Sequence, residues 1–480
     1  MPDQELSVAI PESVDAEMFR HLIREDGQED LMFGLWTPSQ GGSRLTALLH
    51  TPIYPLEGDR QVHGNASFNP QYFERVCSIA ATQEGCGIAF LHSHPGPGWQ
   101  DMSKDDIRAE QKIAGAAMGI TDLPLVGMTL GTDRTWSARM WEYAGAKQYD
   151  RRWCSSVRSA GRQLRVSFTD AIIPKPSFRE LLKRTVTVWG EENHATLARL
   201  RIGIIGLGSV GSIVAETLAR MGMERFVLID FDEVQPHNLD RLLGATQGDI
   251  GELKVAVAKR QIQQSSTAAQ VDVRPVPYSI AEEEGYRAAL DCDVLFSCVD
   301  RPRARSLLNH FAYAHLIPVV DGGIEVRFKR SEFSGVDWQL QTVAPNRPCL
   351  ACLGVFDSGD VSTEIEGKLD DPSYLKGLPS EHRFKRNENV FPFSANLASL
   401  EVLQLVALVT NIAGISDFGI QRFRYQPGIL DADVERACEA DCEYVSLTGQ
   451  GDRHFHLYGR DLGAEAARHR QAESQSNSSN

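Results

Sequence analysis

The feature that most constrains this chain is an apolar run that ends in a glycine-rich turn. Residues Ile202–Ile205 form the run, and Gly206–Gly211 follow it with the spacing GxGxxG. The helix-like stretch Ser212–Arg220 then leads to a second apolar run, Phe226–Ile229, which ends at Asp230. This order predicts a βαβ unit in which the backbone of the glycine turn approaches a phosphate at a helix N-terminus. The glycines of the pattern are Gly206, Gly208 and Gly211.

An acidic residue stands where such a unit makes its contact with a ribose. Asp230 closes the second strand about twenty residues after the glycines, and its carboxylate would accept a hydrogen bond from a ribose hydroxyl. The pattern therefore predicts nucleotide binding, but by itself it does not choose between NAD and ATP.

A series of polar motifs follows the second strand. They are Asp230-Phe231-Asp232, Asn238-Leu239-Asp240-Arg241, Gly251-Glu252-Leu253-Lys254 and Cys298-Val299-Asp300, with Arg305 and Asn309 behind the last. In this order they resemble the ThiF/MoeB/E1 superfamily, whose members adenylate the C-terminal glycine of ubiquitin-like proteins. The resemblance covers about Arg184 to Cys442.

The resemblance implies a role for each matching residue in an ATP site. Asp232 or Asp300 would hold Mg²⁺. The residues implied to bind the ATP phosphates are Asn238, Arg241 and Lys254. Such a set suits the chemistry, because phosphate charge must be neutralised while a carboxylate attacks the α-phosphorus. For any one of these side chains alone, a solvated surface charge is the favoured interpretation, but their occurrence as an ordered set favours the ATP site.

Composition limits the remaining classes of function. The chain has 480 residues, 42% hydrophobic and 24% charged, which suits a globular protein of about two to four domains. Its net charge of −15 argues against sequence-independent binding of nucleic acid or of an acidic membrane surface. No apolar run approaches a length of about twenty residues, and the N-terminus is acidic, so we expect no membrane span and no secretory signal. Nine cysteines are an odd number, which favours a reducing compartment with metal sites, and we expect a cytoplasmic protein.

A histidine pair follows an apolar run in the first part of the chain. His92-Ser93-His94-Pro95 comes directly after Gly87–Leu91, and Ser103-Lys104-Asp105-Asp106 opens a helix-like stretch. The two motifs together resemble the JAMM (MPN+/JAB) metalloprotease motif, in which two histidines and an aspartate bind Zn²⁺. Alternate residues of a strand face the same side, so His92 and His94 can reach one ion, and Asp106 can supply the third ligand. Three protein ligands and an open position are typical of catalytic zinc.

The same resemblance implies a general base and a hydrogen-bond donor. Glu29, just before the apolar run Leu31–Trp36, matches the family's glutamate, with Glu25 as a nearby alternative. Ser103 would donate a hydrogen bond to the water or the oxyanion. Eight residues, 95–102, separate the second histidine from Ser103, one more than is usual in the family. An inactive JAMM fold with a hydrogen-bonded histidine pair is therefore the alternative.

Two cysteine pairs lie in the second half of the chain. Cys349 and Cys352 form a CxxC, and Cys438 and Cys442 form a CxxxC. Four thiolates suit a closed, tetrahedral structural zinc site. E1-like enzymes carry cysteine pairs in similar places. The alternative is two unrelated surface pairs, which could be redox-active.

The stretch ahead of the nucleotide-binding strand contains Arg184. E1-like enzymes carry in this place an arginine that crosses a dimer interface to the neighbour's ATP, and Arg184 fits that position. The resemblance therefore implies a homodimer. The alternative is a solvated arginine on a helix.

The region after the first cysteine pair lacks the residue that many E1 enzymes use to form a thioester. Asp357–Val390 is polar and predicts a mobile crossover loop, and residues 353–437 contain no cysteine. We therefore favour adenylation alone, with transfer to the nucleophile of a partner or to sulfide. Less favoured acceptors are Ser358, Ser362, Thr363, Cys154, Cys292 and Cys298.

Together these patterns predict an α/β protein of two catalytic domains. We expect a JAMM-type α/β metalloprotease domain at 1–140, a connecting segment at 141–200, and a Rossmann-like E1/ThiF adenylation domain with a Cys₄ zinc site at 201–450. Residues 451–480 would be a polar tail that is disordered at its end.

The two predicted activities act on the same group, the C-terminal glycine of a ubiquitin-like protein. The first domain would trim or deconjugate it with zinc, and the second would adenylate it with ATP and Mg²⁺. A conjugating enzyme is a further candidate partner, whereas nucleic acid and membranes are not. The alternatives are trimming and activation of a sulfur-carrier protein for thiocarboxylate formation, or an inactive scaffold that binds ubiquitin-like proteins.

Overall fold

A computed structural model gives the fold as two compact units. It describes residues 4–63, 65–146, 148–177, 179–329, 332–371, 374, 376, 389–457 and 460–478. Unit 1 runs to Lys175 and includes Tyr313–Leu316 and Val445–Phe455, and unit 2 contains the rest.

Unit 1 is built on a mixed nine-stranded sheet with the strand order β11-β10-β1-β3-β2-β6-β7-β8-β9. Its strands are β1 (Glu5–Pro11), β2 (Leu31–Gln40), β3 (Arg44–Ile53), β6 (Gly87–Ser93), β7 (Leu125–Leu130), β8 (Trp136–Gly145), β9 (Gln148–Trp153), β10 (Ser156–Ala160) and β11 (Leu164–Phe168). A separate hairpin pairs β4 (Arg60–His63) with β5 (Asn65–Phe68). The helices are α1 (Glu12–Leu22), α2 (Pro70–Ala80) and α3 (Lys104–Thr121).

The sheet of unit 1 is buried on both faces. Alternate residues of β2 point to opposite sides, so Met32 packs in one apolar cluster with Met18 of α1. Phe33 packs in the other with Tyr72 of α2 and Ile113 of α3. Burial on both faces explains why β2 and β6 read as apolar runs rather than as an alternating pattern.

Unit 2 contains an eight-stranded sheet with the order β14-β13-β12-β15-β16-β17-β18-β19. The strands are β12 (Arg201–Ile205), β13 (Arg225–Ile229), β14 (Asp272–Val276), β15 (Val294–Ser297), β16 (Val319–Lys329), β17 (Glu332–Val343), β18 (Ile420–Arg424) and β19 (Ile429–Asp433). The first five are parallel, and β16 to β19 pair antiparallel. The order of the parallel strands is that of a Rossmann fold, which binds ligands where the order reverses, between β12 and β15.

The helices of unit 2 flank this sheet. They are α4 (Lys183–Trp189), α5 (Glu191–Arg199), α6 (Ser209–Arg220), α7 (Lys254–Ser265), α8 (Glu283–Leu290), α9 (Pro302–Ala314), α10 (Ser358–Ile365), α11 (Phe391–Thr410), α12 (Glu443–Ser446) and α13 (Leu462–Ser478), and the last two residues of α9 and of α12 belong to unit 1. Helix α11 is long and apolar enough to cross a membrane, but 67% of its most apolar window is buried. We therefore interpret α11 as a core helix of unit 2.

The structure corrects the expected boundaries at three places. The segment 141–200 is not a connector, because β9, β10 and β11 hydrogen-bond into the sheet of unit 1 and α4 and α5 belong to unit 2. The end of the tail, which we expected to be disordered, is part of the helix α13 as far as Ser478. The expected crossover loop begins as the helix α10, and its residues 372, 373, 375 and 377–388 lie outside the described residues.

Candidate functional site

The glycine turn after β12 is tightly packed against its neighbours. Gly206 has φ +87°, and a Cβ there would lie 2.5 Å from the carbonyl oxygen of Cys298. A Cβ on Gly211, in the first turn of α6, would lie 2.0 Å from the carbonyl oxygen of Gly206. Gly208 has nothing within 4 Å of its Cβ position. Gly206 and Gly211 are therefore required for packing, whereas Gly208 leaves the backbone open toward the cavity.

Asp230 ties the end of β13 to this turn. Its Oδ2 accepts a hydrogen bond from the Leu207 backbone N at 2.6 Å, and its Oδ1 accepts one from the Asp232 backbone N at 2.8 Å. Burial raises the pKa of Asp230, and Lys254 opposes that rise. Each carboxylate oxygen has a second lone pair, so the expected ribose contact stays available.

Lys254 is the cation at the centre of the acidic residues. Its Nζ donates to Asp232 Oδ2 at 2.7 Å. Burial lowers the pKa of Lys254, but Asp230, Asp232 and Asp300 outweigh burial and raise it overall. The structure thus brings together the lysine and the three aspartates that the sequence placed in the ATP site.

The remaining predicted phosphate ligands lie in the short turn after β13. Asn238 Oδ1 accepts from the Gln235 backbone N at 2.9 Å, and Arg241 Nη1 donates to the His237 carbonyl oxygen at 2.6 Å. Both side chains line an open cavity of about 1990 Å³ in unit 2. The same cavity is lined by Gly206, Gly208, Asp230, Asp232, Lys254 and Asp300.

Two predicted residues of the nucleotide site do not line this cavity: Gly211, which packs against the carbonyl oxygen of Gly206, and Arg184. Arg184 is exposed on α4. Its expected role needs a second copy of the chain, so that role stays a prediction.

The metal ligands predicted in unit 1 converge. His92 at the end of β6, His94 just after it and Asp106 in α3 place one donor atom each within 4.8 Å of one another. The Nε2 atoms of His92 and His94 lie 3.6 Å and 3.4 Å from the Asp106 carboxylate. Burial raises the pKa of Asp106, but its hydrogen bonds to both histidines hold it well below the usual value. Two imidazoles and a carboxylate are donors that zinc accepts.

Glu29 and Ser103 lie at the edges of this cluster. Burial raises the pKa of Glu29, and its charge interacts with those of His94, His92 and Asp106. Ser103 caps α3: its Oγ accepts from the Asp106 backbone N at 3.1 Å, and its backbone N donates to Asp106 Oδ2 at 2.6 Å. Ser103 therefore orients a predicted metal ligand, and its proposed contact with an oxyanion stays a prediction.

The loop between the second histidine and Ser103 is compact despite its extra residue. The Gln100 side-chain amide donates to the carbonyl oxygens of Gly96, Pro97 and Gly98 at 3.2, 2.9 and 3.0 Å. Ser137 Oγ donates to the Gln100 carbonyl oxygen at 2.7 Å. The loop thus accommodates the added residue while the three predicted ligands still converge.

His92 rests on a buried polar network. Thr129 Oγ1 lies 3.3 Å from His92 Nε2 and accepts from Arg139 Nη1 at 2.6 Å. Arg139 in turn pairs with Glu110, which also accepts from Trp141 Nε1 at 2.6 Å. His92 Nδ1 has no hydrogen-bond partner among the described residues. A metal-bound histidine usually donates through its second nitrogen, so His92 departs from that pattern.

The four cysteines of the predicted structural site also converge. One sulfur atom from each of Cys349, Cys352, Cys438 and Cys442 lies within 4.8 Å of the others. The Cys349 and Cys442 sulfurs are 3.7 Å apart, close to the separation of about 3.8 Å that four Zn–S bonds of about 2.3 Å give in a tetrahedron. The backbone N of Cys349 also donates to Cys438 Sγ at 3.2 Å. The site fits a closed structural zinc.

The structure does not favour any candidate acceptor of an acyl group. Ser362 Oγ and Thr363 Oγ1 donate to carbonyl oxygens of their own helix, at 3.0 and 2.7 Å. Cys292 is buried, and burial raises the pKa of Cys154 to about 12. Cys298 lines the cavity, but burial raises its pKa well above the usual value. Ser358 lies on the exposed face of α10.

Several residues of the cavity were not predicted. Asn389 Nδ2 donates to Ser209 Oγ at 3.0 Å, beside the glycine turn. Helix α13 contributes residues to the wall, among them Arg470 and Gln471. The polar residue just before the apolar helix is a signal for Asn389, but the polar composition of α13 resembles that of a tail.

Comparison with known protein families identifies the family of unit 2. The model of the ThiF family matches residues 182–432, which is more than half of the chain. The fold and the site of unit 2 therefore belong to a Rossmann-like ThiF adenylation domain. The chain is a member of the ThiF family.

Curated relatives are similar to the nucleotide-binding part. A tRNA threonylcarbamoyladenosine dehydratase 2 of Saccharomyces cerevisiae is 30% identical over 30% of this chain and 32% of its own length. A SAMP-activating enzyme E1 of Haloferax volcanii is 28% identical, over 34% of this chain and 57% of its own. A molybdopterin-synthase adenylyltransferase of Escherichia coli is 25% identical, over 40% and 73%. The chain covers about a third of the length of the first of these relatives and a little over half of the length of the second.

Substitutions of the two glycines test the packing of the turn. We expect Gly211→Ala to destabilise unit 2 by about 1–3 kcal/mol, because its Cβ would meet the Gly206 carbonyl oxygen at 2.0 Å. Gly208→Ala is the matched control and should leave the midpoint of chemical denaturation unchanged. Equal stability of the two variants would contradict this account of the turn.

Proposed function

We propose that unit 2 uses ATP to adenylate the C-terminal glycine of a ubiquitin-like or sulfur-carrier protein. The observation that carries the proposal is the grouping of Lys254, Asp232, Asp300 and Arg241 around the glycine turn of one cavity. Relatives whose names describe activation of SAMP and adenylyl transfer for molybdopterin synthase support the class of reaction.

The proposed reaction joins a carboxylate to AMP. An oxygen of the glycine carboxylate attacks the α-phosphorus of ATP, a new P–O bond forms, and the bond to pyrophosphate breaks. Lys254 and Arg241 would neutralise phosphate charge, and the turn at Gly208 would offer backbone N–H groups at the N-terminus of α6. Asp232 and Asp300 offer the carboxylate oxygens that Mg²⁺ prefers, and Mg²⁺ would supply further neutralisation.

Loss of Lys254 tests the adenylation. We expect Lys254→Ala to lower partner-dependent exchange of pyrophosphate into ATP about 100-fold, because the charge on the phosphates is left without its buried cation. Lys259→Ala, on the same helix and outside the cavity, is the matched control. Normal exchange by Lys254→Ala would contradict the assignment. If the wild-type chain neither exchanges pyrophosphate into ATP nor binds ATP, the result would instead favour the alternative of an inactive scaffold that binds ubiquitin-like proteins.

For unit 1 we propose a zinc-dependent peptidase that acts after the same glycine. His92, His94 and Asp106 would hold the ion, which would supply Lewis acidity toward the scissile carbonyl. Water adds to the carbonyl carbon, the C–N bond breaks, and Glu29 would carry the proton from the water to the leaving amine. Ser103 would donate to the developing oxyanion.

Metal content tests both proposed zinc sites. We expect about two zinc ions per wild-type chain, and about one each for His94→Ala and for Cys352→Ser, because each variant removes a ligand. His63→Ala changes an exposed histidine of β4 and should keep both ions. Elemental analysis of the purified proteins gives the count. Unchanged zinc in His94→Ala would contradict a metal site in unit 1.

The sulfur-carrier alternative is favoured by one feature of the sequence. Residues 353–437 contain no cysteine, so the thioester of conventional E1 enzymes has no acceptor there. We propose that the adenylate passes directly to a nucleophile on a conjugating enzyme or to sulfide. A cytoplasmic location and a homodimer that uses Arg184 across its interface are further parts of the proposal.

A further inference from the structure

We propose that the C-terminal helix α13 forms the base end of the nucleotide site, and that Arg470 contacts the base or ribose of bound ATP. The inference rests on the proposed binding of ATP by unit 2 and extends it to residues outside the ThiF match, which ends at residue 432. It assigns a function to the polar tail.

One face of α13 lies along the cavity. The residues of α13 that line it are Leu462, Gly463, Ala466, Ala467, Arg470 and Gln471. They recur every three or four positions, which places them on one face of a helix. Glycine and alanine in the first two turns let the helix backbone approach closely, and Arg470 then projects the largest side chain of this face.

Polar contacts fix the helix beside the end of β13. Gln471 Nε2 donates to the carbonyl oxygen of Phe231 at 3.3 Å, and Phe231 follows the buried Asp230 directly. Arg468 pairs through both Nη atoms with the carboxylate of Glu282, one bond measuring 2.9 Å. A two-bond pair of this kind holds orientation as well as distance.

The position of the base follows from the two ends of the site already described. The glycine turn marks the phosphates, and Asp230 marks the ribose. The base therefore lies beyond Asp230, on the side of β14. Tyr278, Ser279, Ile280 and Ala281 follow β14 and line the same cavity. The Arg468 guanidinium lies 5.9 Å from the centre of the Tyr278 ring, so α13 borders the cavity at this end.

Arg470 is the group of this face that can recognise a nucleotide. Arg470 lines the cavity and directly precedes Gln471, whose side chain is bonded to the Phe231 carbonyl oxygen next to Asp230, so Arg470 lies near the ribose end of the site. A guanidinium is planar and stacks on aromatic rings such as a purine base. His469, the neighbouring residue, is exposed and does not line the cavity.

Binding of two nucleotides to the full-length chain tests the proposal without a protein partner. Titration calorimetry would measure Kd for ATP and for AMP in the wild type, Arg470→Ala, Arg468→Ala and the matched control His469→Ala. We expect Arg470→Ala to raise both Kd values about tenfold, because AMP keeps the base and the ribose. Arg468→Ala should raise both as well, since it releases the helix from Glu282. Arg241→Ala should weaken the binding of ATP much more than the binding of AMP, because Arg241 is proposed to contact the phosphates.

Each outcome decides between explanations. Unchanged Kd values in Arg470→Ala and Arg468→Ala, with normal binding by the wild type, would overturn the inference and leave the proposed adenylation intact. If Arg470→Ala binds ATP more weakly but AMP with an unchanged Kd, Arg470 lies at the phosphates, and the inference is also overturned. Tighter binding would mean that α13 obstructs the site. A wild-type chain that binds neither nucleotide would overturn the proposed function itself.

Discussion

The nucleotide site depends on the hydrogen bonds of one buried carboxylate. Asp230 accepts from the backbone N atoms of Leu207 and Asp232, so it joins the glycine turn after β12 to the segment that leaves β13. Lys254 then pairs with Asp232, which brings the start of α7 to the same point. Because a buried carboxylate is costly unless it is hydrogen-bonded, these contacts fix the turn, the acidic segment and the lysine as one arrangement.

Local patterns predicted the parts of both sites that are built from neighbouring residues. The alternation of side chains along β6 predicted that His92 and His94 face the same side of the sheet. The first turn of α3 places Asp106 beside them. The parallel order of β12 and β15 brought Asp300 to the glycine turn. The cysteine pairs also met as expected.

Long-range contacts explain what the sequence could not predict. The Gln471–Phe231 hydrogen bond joins residues 240 positions apart, and nothing in the polar composition of α13 signals it. The strands β9 to β11 extended unit 1 past residue 140 because their partners, β8 and β1, lie earlier in the chain. Arg184 is exposed, so a role across an interface depends on a surface that one chain does not contain.

We propose that both units act on the same C-terminal glycine, one by hydrolysis after it and one by adenylation of it. The most direct test compares pyrophosphate exchange supported by two forms of one ubiquitin-like partner, ending at the glycine or extended beyond it. The account predicts that the wild-type chain uses both forms, whereas Glu29→Gln uses only the form that ends at the glycine. Equal use of the extended form by Glu29→Gln, or no use of it by the wild type, would contradict the claim.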